Sequence, residues 1–174
     1  MAALGSCFLK KPKPLAYNRG FTPMHKIERE QFLPISKEEA WKFFSSPKNL
    51  AKITPTSLGF KVHGEVPDSM YPGLFIEYTV SPLLGIPMTW VTEITHVAEG
   101  EYFVDEQRVG PYAIWHHEHF FKAVEGGVLM RDVVHYKVPF GFLGALMHPI
   151  VVRPKLEQIF LFRWQTNERL FGKS

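Results

Sequence analysis

Residues 58 to 138 are cut into six strand-length runs, and the cuts between them are short. The runs cover about 58–64, 73–80, 87–97, 101–108, 112–124 and 127–138, with turn pairs at Pro67-Asp68, Ser81-Pro82, Glu99-Gly100, Gly110-Pro111 and Gly126-Gly127. A parallel crossover needs a dozen or more residues, so breaks of this kind force hairpins and an antiparallel, meandering sheet. Upstream, residues 26–33 alternate polar and apolar at period two, as a half-buried strand does, until Pro34 stops them. Ser36 with Glu39 three residues later has the capping-box arrangement and opens a helix carrying Ala40, Trp41, Phe43 and Phe44. A second short helix over 49–53 ends at Pro55. From Phe142 the pattern becomes helical, with interruptions at Pro149 and Pro154, and runs to Phe171. An antiparallel sheet with one apolar face needs a cover, and the last helix supplies it.

A chain of 174 residues suits one domain. Its formal charge of +3 is unevenly placed. Residues 1–23 hold Lys10, Lys11, Lys13 and Arg19 and no acid, which leaves 16 bases against 17 acids in the rest. We therefore expect a disordered basic extension over 1–23 and a nearly neutral domain over 24–174, with Met24 an alternative start. The mild apolar stretch at 2–9 precedes its basic residues, the wrong order for a secretory signal. A cytoplasmic location is expected, with an organellar leader as the alternative. No run reaches 18 apolar residues, so no integral membrane segment is expected. Outside the leader, the basic and aromatic pattern of a nucleic-acid binder is absent.

Strand parity sorts the faces. On 127–138 the inward set is Val128, Met130, Asp132, Val134, Tyr136 and Val138; on 101–108 it is Phe103, Asp105 and Gln107, because Glu106 and Arg108 pair on the other side. On 112–124 the set of Trp115, His117, His119 and Phe121 faces inward, since Glu118 suits a core badly. On 73–80 and 87–97 the inward sets are Leu74, Ile76 and Tyr78, then Met88, Trp90, Thr92 and Ile94. The last helix carries a stripe at Leu156, Ile159, Phe160, Arg163, Asn167, Leu170 and Phe171. A buried arginine needs a carboxylate, and Asp105 and Asp132 project from the sheet towards Arg163. Asp105, Gln107, His117, His119, Asp132, Tyr136 and Arg163 thus form a polar cluster inside an apolar shell. It reads as a structural network fixing helix on sheet, or as a set of groups orienting a ligand in an apolar cavity.

His117 and His119 with one aspartate match a two-histidine, one-carboxylate metal site in composition only. Alternating strand histidines are more often hydrogen-bonded neighbours, so neither metal nor cofactor is expected. The single cysteine, Cys7, lies in the leader, which excludes a disulfide framework and a cysteine nucleophile in the domain. There is no phosphate-binding glycine loop, no HExxH and no GxSxG.

The run FVDEQRVGPYAIWHHEHFF (103–121), VHYKVPFGFLG (134–144) and LEQIFLFR of the last helix resemble the bacterial ligand-binding proteins of the START/Bet v 1-like, or SRPBCC, superfamily. The resemblance covers about 25–172. It implies an α+β helix-grip fold: a curved antiparallel sheet wrapped around a long C-terminal helix, with two short helices after the first strand. It also implies a domain that holds small hydrophobic or amphipathic molecules (lipid, quinone or polyketide-like) between sheet and helix. The expected lining is Tyr78, Trp90, Phe103, Asp105, Gln107, Trp115, His117, His119, Asp132, Tyr136, Phe160 and Arg163. Binding or carrying is the leading expectation. The alternative is an enzyme of the polyketide cyclase, dehydratase or isomerase type, with a cavity histidine as general base beside Asp105 or Asp132. The apolar, glycine-broken stretch 139–152 is a packed connection, a cavity lid, a transient membrane contact or a partner-docking surface.

Overall fold

The computed structural model describes residues 23–82 and 85–173. The extension expected over 1–23, Pro23 apart, lies outside the described residues. Strand β1 (His25–Leu33) is followed by α1 (Lys37–Phe44), then by two tight helical turns, Pro47–Ile53 and Thr56–Leu58. Strands β2 (Lys61–Val62), β3 (Leu74–Val80), β4 (Met88–Ala98), β5 (Tyr102–Val109), β6 (Ile114–Val124) and β7 (Gly127–Lys137) complete one 7-stranded sheet. Its order is β1-β7-β6-β5-β4-β3-β2, with every neighbouring pair antiparallel. The chain ends in α2 (Gly141–Met147), a wide π-type turn (His148–Val152) and α3 (Arg153–Phe171).

The meander follows from the turn chemistry, and β1 closes antiparallel on β7 at the edge opposite β2. Register shifts on β4 between Val91/Thr92 and between Ile94/His96 add twist and bend the sheet. Ser36 caps α1 as its sequence indicates: its Oγ accepts from the Glu39 backbone N–H at 3.1 Å. One expectation is corrected. The run at 58–64 contributes only two strand residues, because the chain is still in the Thr56–Leu58 turn and leaves it through Gly59 at φ +55°. Residues 49–53 belong to a tight turn beginning at Pro47, with Pro47 itself buried.

The core lies between the concave face and the helices. Phe103, Phe121, Val128 and Met130 from the sheet meet Trp41 and Phe44 from α1, and Trp41 stands edge-on to Phe103 and Phe121. A second cluster joins Ile27, Val134 and Tyr136 to Leu156 and Phe160 of α3. On α3, Leu156, Phe160, Thr166 and Asn167 are buried, but Leu170 is about half exposed and is not part of the stripe. In the last turn of α3 it is the neighbouring Phe171 that packs inward, against Phe43 and Phe44 of α1. Asn167 Nδ2 donates to Gln31 Oε1 at 2.9 Å, and Gln31 Nε2 donates to the Trp164 carbonyl at 3.1 Å. An ion pair between Arg29 and Glu157 adds a tie between β1 and α3.

Candidate functional site

A cavity of about 170 Å³ opens between the concave sheet face and α3. The alternation that makes β3 to β6 half-buried strands points one parity of each into it. Tyr78, Trp90, Phe103, Trp115, Phe160 and Ile159 provide its aromatic and aliphatic wall. Polar atoms on that wall are satisfied locally: Tyr78 Oη lies 2.9 Å from Thr92 Oγ1, and Trp90 Nε1 donates to the same hydroxyl at 3.0 Å. Burial pushes the Tyr78 phenol well above its usual value, so it stays a neutral wall group. Trp90 and Trp115 meet edge to face at 5.4 Å, with Tyr112 against Trp115.

Asp105, His117, His119 and Arg163 form the polar end of this wall. The ladder places them. Asp105 pairs with His117 across β5 and β6, and His119 pairs with Asp132 across β6 and β7. Both imidazoles leave the same face because they are two residues apart on one strand. His119 Nε2 is 2.7 Å from Asp105 Oδ2, and its Nδ1 is 2.8 Å from Asp132 Oδ1. His117 Nε2 is 3.0 Å from Asp132 Oδ1, and its Nδ1 is 3.5 Å from Asp105 Oδ2. Arg163 Nη1 reaches Asp132 Oδ1 at 3.4 Å. Phe103 stacks on His119 at 4.1 Å and fixes its ring plane.

Electrostatics separate the two histidines. Burial pushes both down, but His119 has a carboxylate at each nitrogen, and those contacts hold it above its ordinary value. His117 is held below its ordinary value by burial and by the neighbouring His119 charge, which outweigh the two carboxylates. Burial would raise both acids. Arg163 and the histidines overcome it and keep Asp132 well below the carboxylate range. Burial is likewise outweighed at Asp105, which His117, His119 and, to a smaller degree, Arg163 hold below its ordinary value. The cluster therefore sets two carboxylates against the Arg163 guanidinium and two imidazoles, of which His119 holds a proton more readily than His117.

Nine of the twelve expected lining residues lie on the cavity: Tyr78, Trp90, Phe103, Asp105, Trp115, His117, His119, Phe160 and Arg163. Three do not. Asp132 stands behind the histidines, 3% exposed, in contact with both imidazoles and off the cavity wall. Gln107 braces the Gly110-Pro111 turn, donating through Nε2 to the Tyr112 carbonyl at 2.6 Å and accepting the Tyr112 N–H through Oε1 at 3.2 Å. Tyr136 is buried against His148, with Oη 2.7 Å from Nε2. Strand parity assigns a face but not a position along the bent sheet, so by itself it groups these three with the others. Strand reasoning missed Leu50, Ile53, Leu58 and Lys155, because they reach the cavity from turns and a helix start that carry no period-two signal. Among the described residues, none of 139–152 lines the cavity.

No family model and no curated protein matches the chain. Solved structures do. Protein CV1439 from Chromobacterium violaceum is 14% identical over 86% of this chain and 99% of its own, with a TM-score of 0.64. Major latex-like protein 151 from Panax ginseng is 10% identical over 85% and 97%, with a TM-score of 0.59. The protein Ara h 8.0201 is 15% identical over 83% and 98%, with a TM-score of 0.53. At such identities the likeness is one of backbone architecture, and with the curved seven-stranded sheet and its long closing helix it settles the fold: the chain has the α+β helix-grip fold of the START/Bet v 1-like (SRPBCC) superfamily.

Proposed function

We propose that the protein binds and carries a small, ring-bearing apolar molecule between the sheet and α3, with Asp105, His117 and Arg163 orienting one polar group of it. The observation that carries this reading is the cavity itself: an apolar, aromatic wall with polar side chains converging at one end. Its volume narrows the ligand class. A cavity of about 150 Å³ accommodates a benzene-sized guest, so about 170 Å³ suits a quinone or single-ring aromatic head. A lipid or polyketide chain would have to extend beyond it. The exposed apolar residues of α2, Phe142, Leu143 and Leu146, support transient contact with a membrane surface as a source of such a ligand.

Trp90 and Trp115 in the wall provide the test. Titration with a short-chain benzoquinone should quench tryptophan emission saturably, and Trp115→Phe should remove part of the response. Native mass spectrometry should show a one-to-one complex with the same probe. Absence of a complex with quinones, single-ring aromatics and lipids alike would overturn the reading.

A second reading is favoured by His117, which is buried, neutral and backed by Asp132. Such an imidazole can take a proton from a bound ligand, in the manner of a cyclase or isomerase. Turnover of an identified ligand that survives His117→Ala, Asp105→Asn and Asp132→Asn would exclude it.

A further inference from the structure

The polar end of the cavity is more specialised than the orienting of a ligand requires. Asp132 Oδ1 lies 3.0 Å from His117 Nε2 and 2.8 Å from His119 Nδ1, so one carboxylate oxygen backs both imidazoles. An ionised carboxylate only accepts, so His117 Nε2, hydrogen-bonded to Asp132, carries its hydrogen towards it, and His119 Nδ1 stands close enough to the same oxygen to do so when its other nitrogen is engaged elsewhere. The front nitrogens, His117 Nδ1 and His119 Nε2, both turn to Asp105 Oδ2, at 3.5 and 2.7 Å. One donor atom each from Asp105, His117 and His119 lies within 4.8 Å of the other two. His119 Nε2 holds a hydrogen bond to Asp105 as the site stands; with that proton released, as metal binding to histidine requires, the three front atoms are electron-pair donors converging on one point. A proton on His119 Nε2 bridges one pair only. A cation serves all three.

We propose that Asp105, His117 and His119 form a binding site for a first-row divalent cation of the zinc type, with Asp132 holding both imidazoles from behind. Around a tetrahedral ion with bonds near 2.1 Å, neighbouring donors stand about 3.4 Å apart, and the two separations from Asp105 Oδ2 bracket that value. Two imidazoles and one carboxylate favour zinc, iron or nickel over magnesium or calcium, which prefer oxygen. Histidines fixed through their far nitrogens by a carboxylate are the usual support of such a centre. Arg163 neutralises Asp132, so Asp105 is the anion left to the cation. Phe103 stacked on His119 limits the swing of that ring. Since Asp105, His117 and His119 line the cavity and Asp132 does not, the open coordination positions face the cavity, where an oxygen-bearing ligand would meet the ion. The site shares Asp105 and His117 with the polar end proposed to orient a ligand, but metal uptake needs no apolar ligand, so the two readings fail separately.

Cobalt(II) is the probe. Chelator-treated full-length protein should take up one equivalent, with visible ligand-field bands of an N/O site, and zinc should displace it. His117→Ala and His119→Ala should each abolish saturable uptake, and Asp132→Asn should weaken it about 10- to 100-fold. His96→Ala, on a solvent-facing histidine, should leave uptake unchanged. Circular dichroism reports folding of each variant. Where His117→Ala does not fold, Asp132→Asn, which keeps its shape, reads the same site. Wild-type protein that binds no cobalt or zinc at millimolar metal would overturn the proposal, leaving a purely structural network. So would uptake undiminished in a folded His119→Ala, or lost in His96→Ala.

Discussion

The second histidine pair shows how one residue's surroundings decide its chemistry. His25 and His148 stack at 3.5 Å with their planes 7° apart, and His148 Nε2 lies 2.7 Å from Tyr136 Oη. Burial, then the nearby Arg153 and, for His148, its partner ring, push both below the usual 6.5. The unfolded chain binds these protons more readily. Their contribution to stability is therefore full above about pH 6.5 and is lost as the pH falls through the folded values. A histidine NMR titration should place both midpoints below 6.5, and Arg153→Gln should move them up. A His148 midpoint at or above 6.5 would contradict this account. Parity alone puts Tyr136 on the inward face, but nothing in the sequence pairs it with His148, which reaches it from the π-type turn after α2.

At the scale of elements, the junction of β7 with α2 is the tightest connection. Phe140 takes a left-handed conformation at φ 67°, Gly141 follows at φ 52°, and α2 then folds back over Pro139. A Cβ on Gly144 would stand 1.9 Å from the Pro139 carbonyl oxygen, which is backbone and has nowhere to go. Gly144→Ala should destabilise the protein by about 1–3 kcal/mol, the range for overpacking, although alanine is the better helix former. Equilibrium urea denaturation checks it, and a variant as stable as wild type would show that the turn can relax. The PFG-LG run at 139–144 marks this connection in the sequence, but a periodicity argument sees only a helix start there. The contact that requires glycine is between residues the pattern treats as separate elements.

At the scale of the whole molecule, the described residues leave an apolar surface uncovered around α2. Phe140 and Phe142 are 82% and 85% exposed, with Leu143, Leu146 and Ile150 beside them in sequence. Since these side chains touch little of the core, Phe142→Glu and Leu143→Glu should each change stability by no more than about 0.5 kcal/mol. The pair should sharply reduce retention on a phenyl resin; a large stability loss instead would mean that this face packs against the domain. By itself the sequence determined the antiparallel meander, the capped first helix, the closing helix and the inward parities of Asp105, His117, His119 and Asp132. Those features follow from local rules: short breaks force hairpins, and side chains alternate along a strand. Only the tertiary structure decided which inward residues meet the cavity, that Asp132 stands behind both imidazoles while Asp105 stands before them, and that Gln107 serves a turn. Those outcomes depend on strand register, sheet bend and the seat of α3, which are set by packing between residues far apart in the chain.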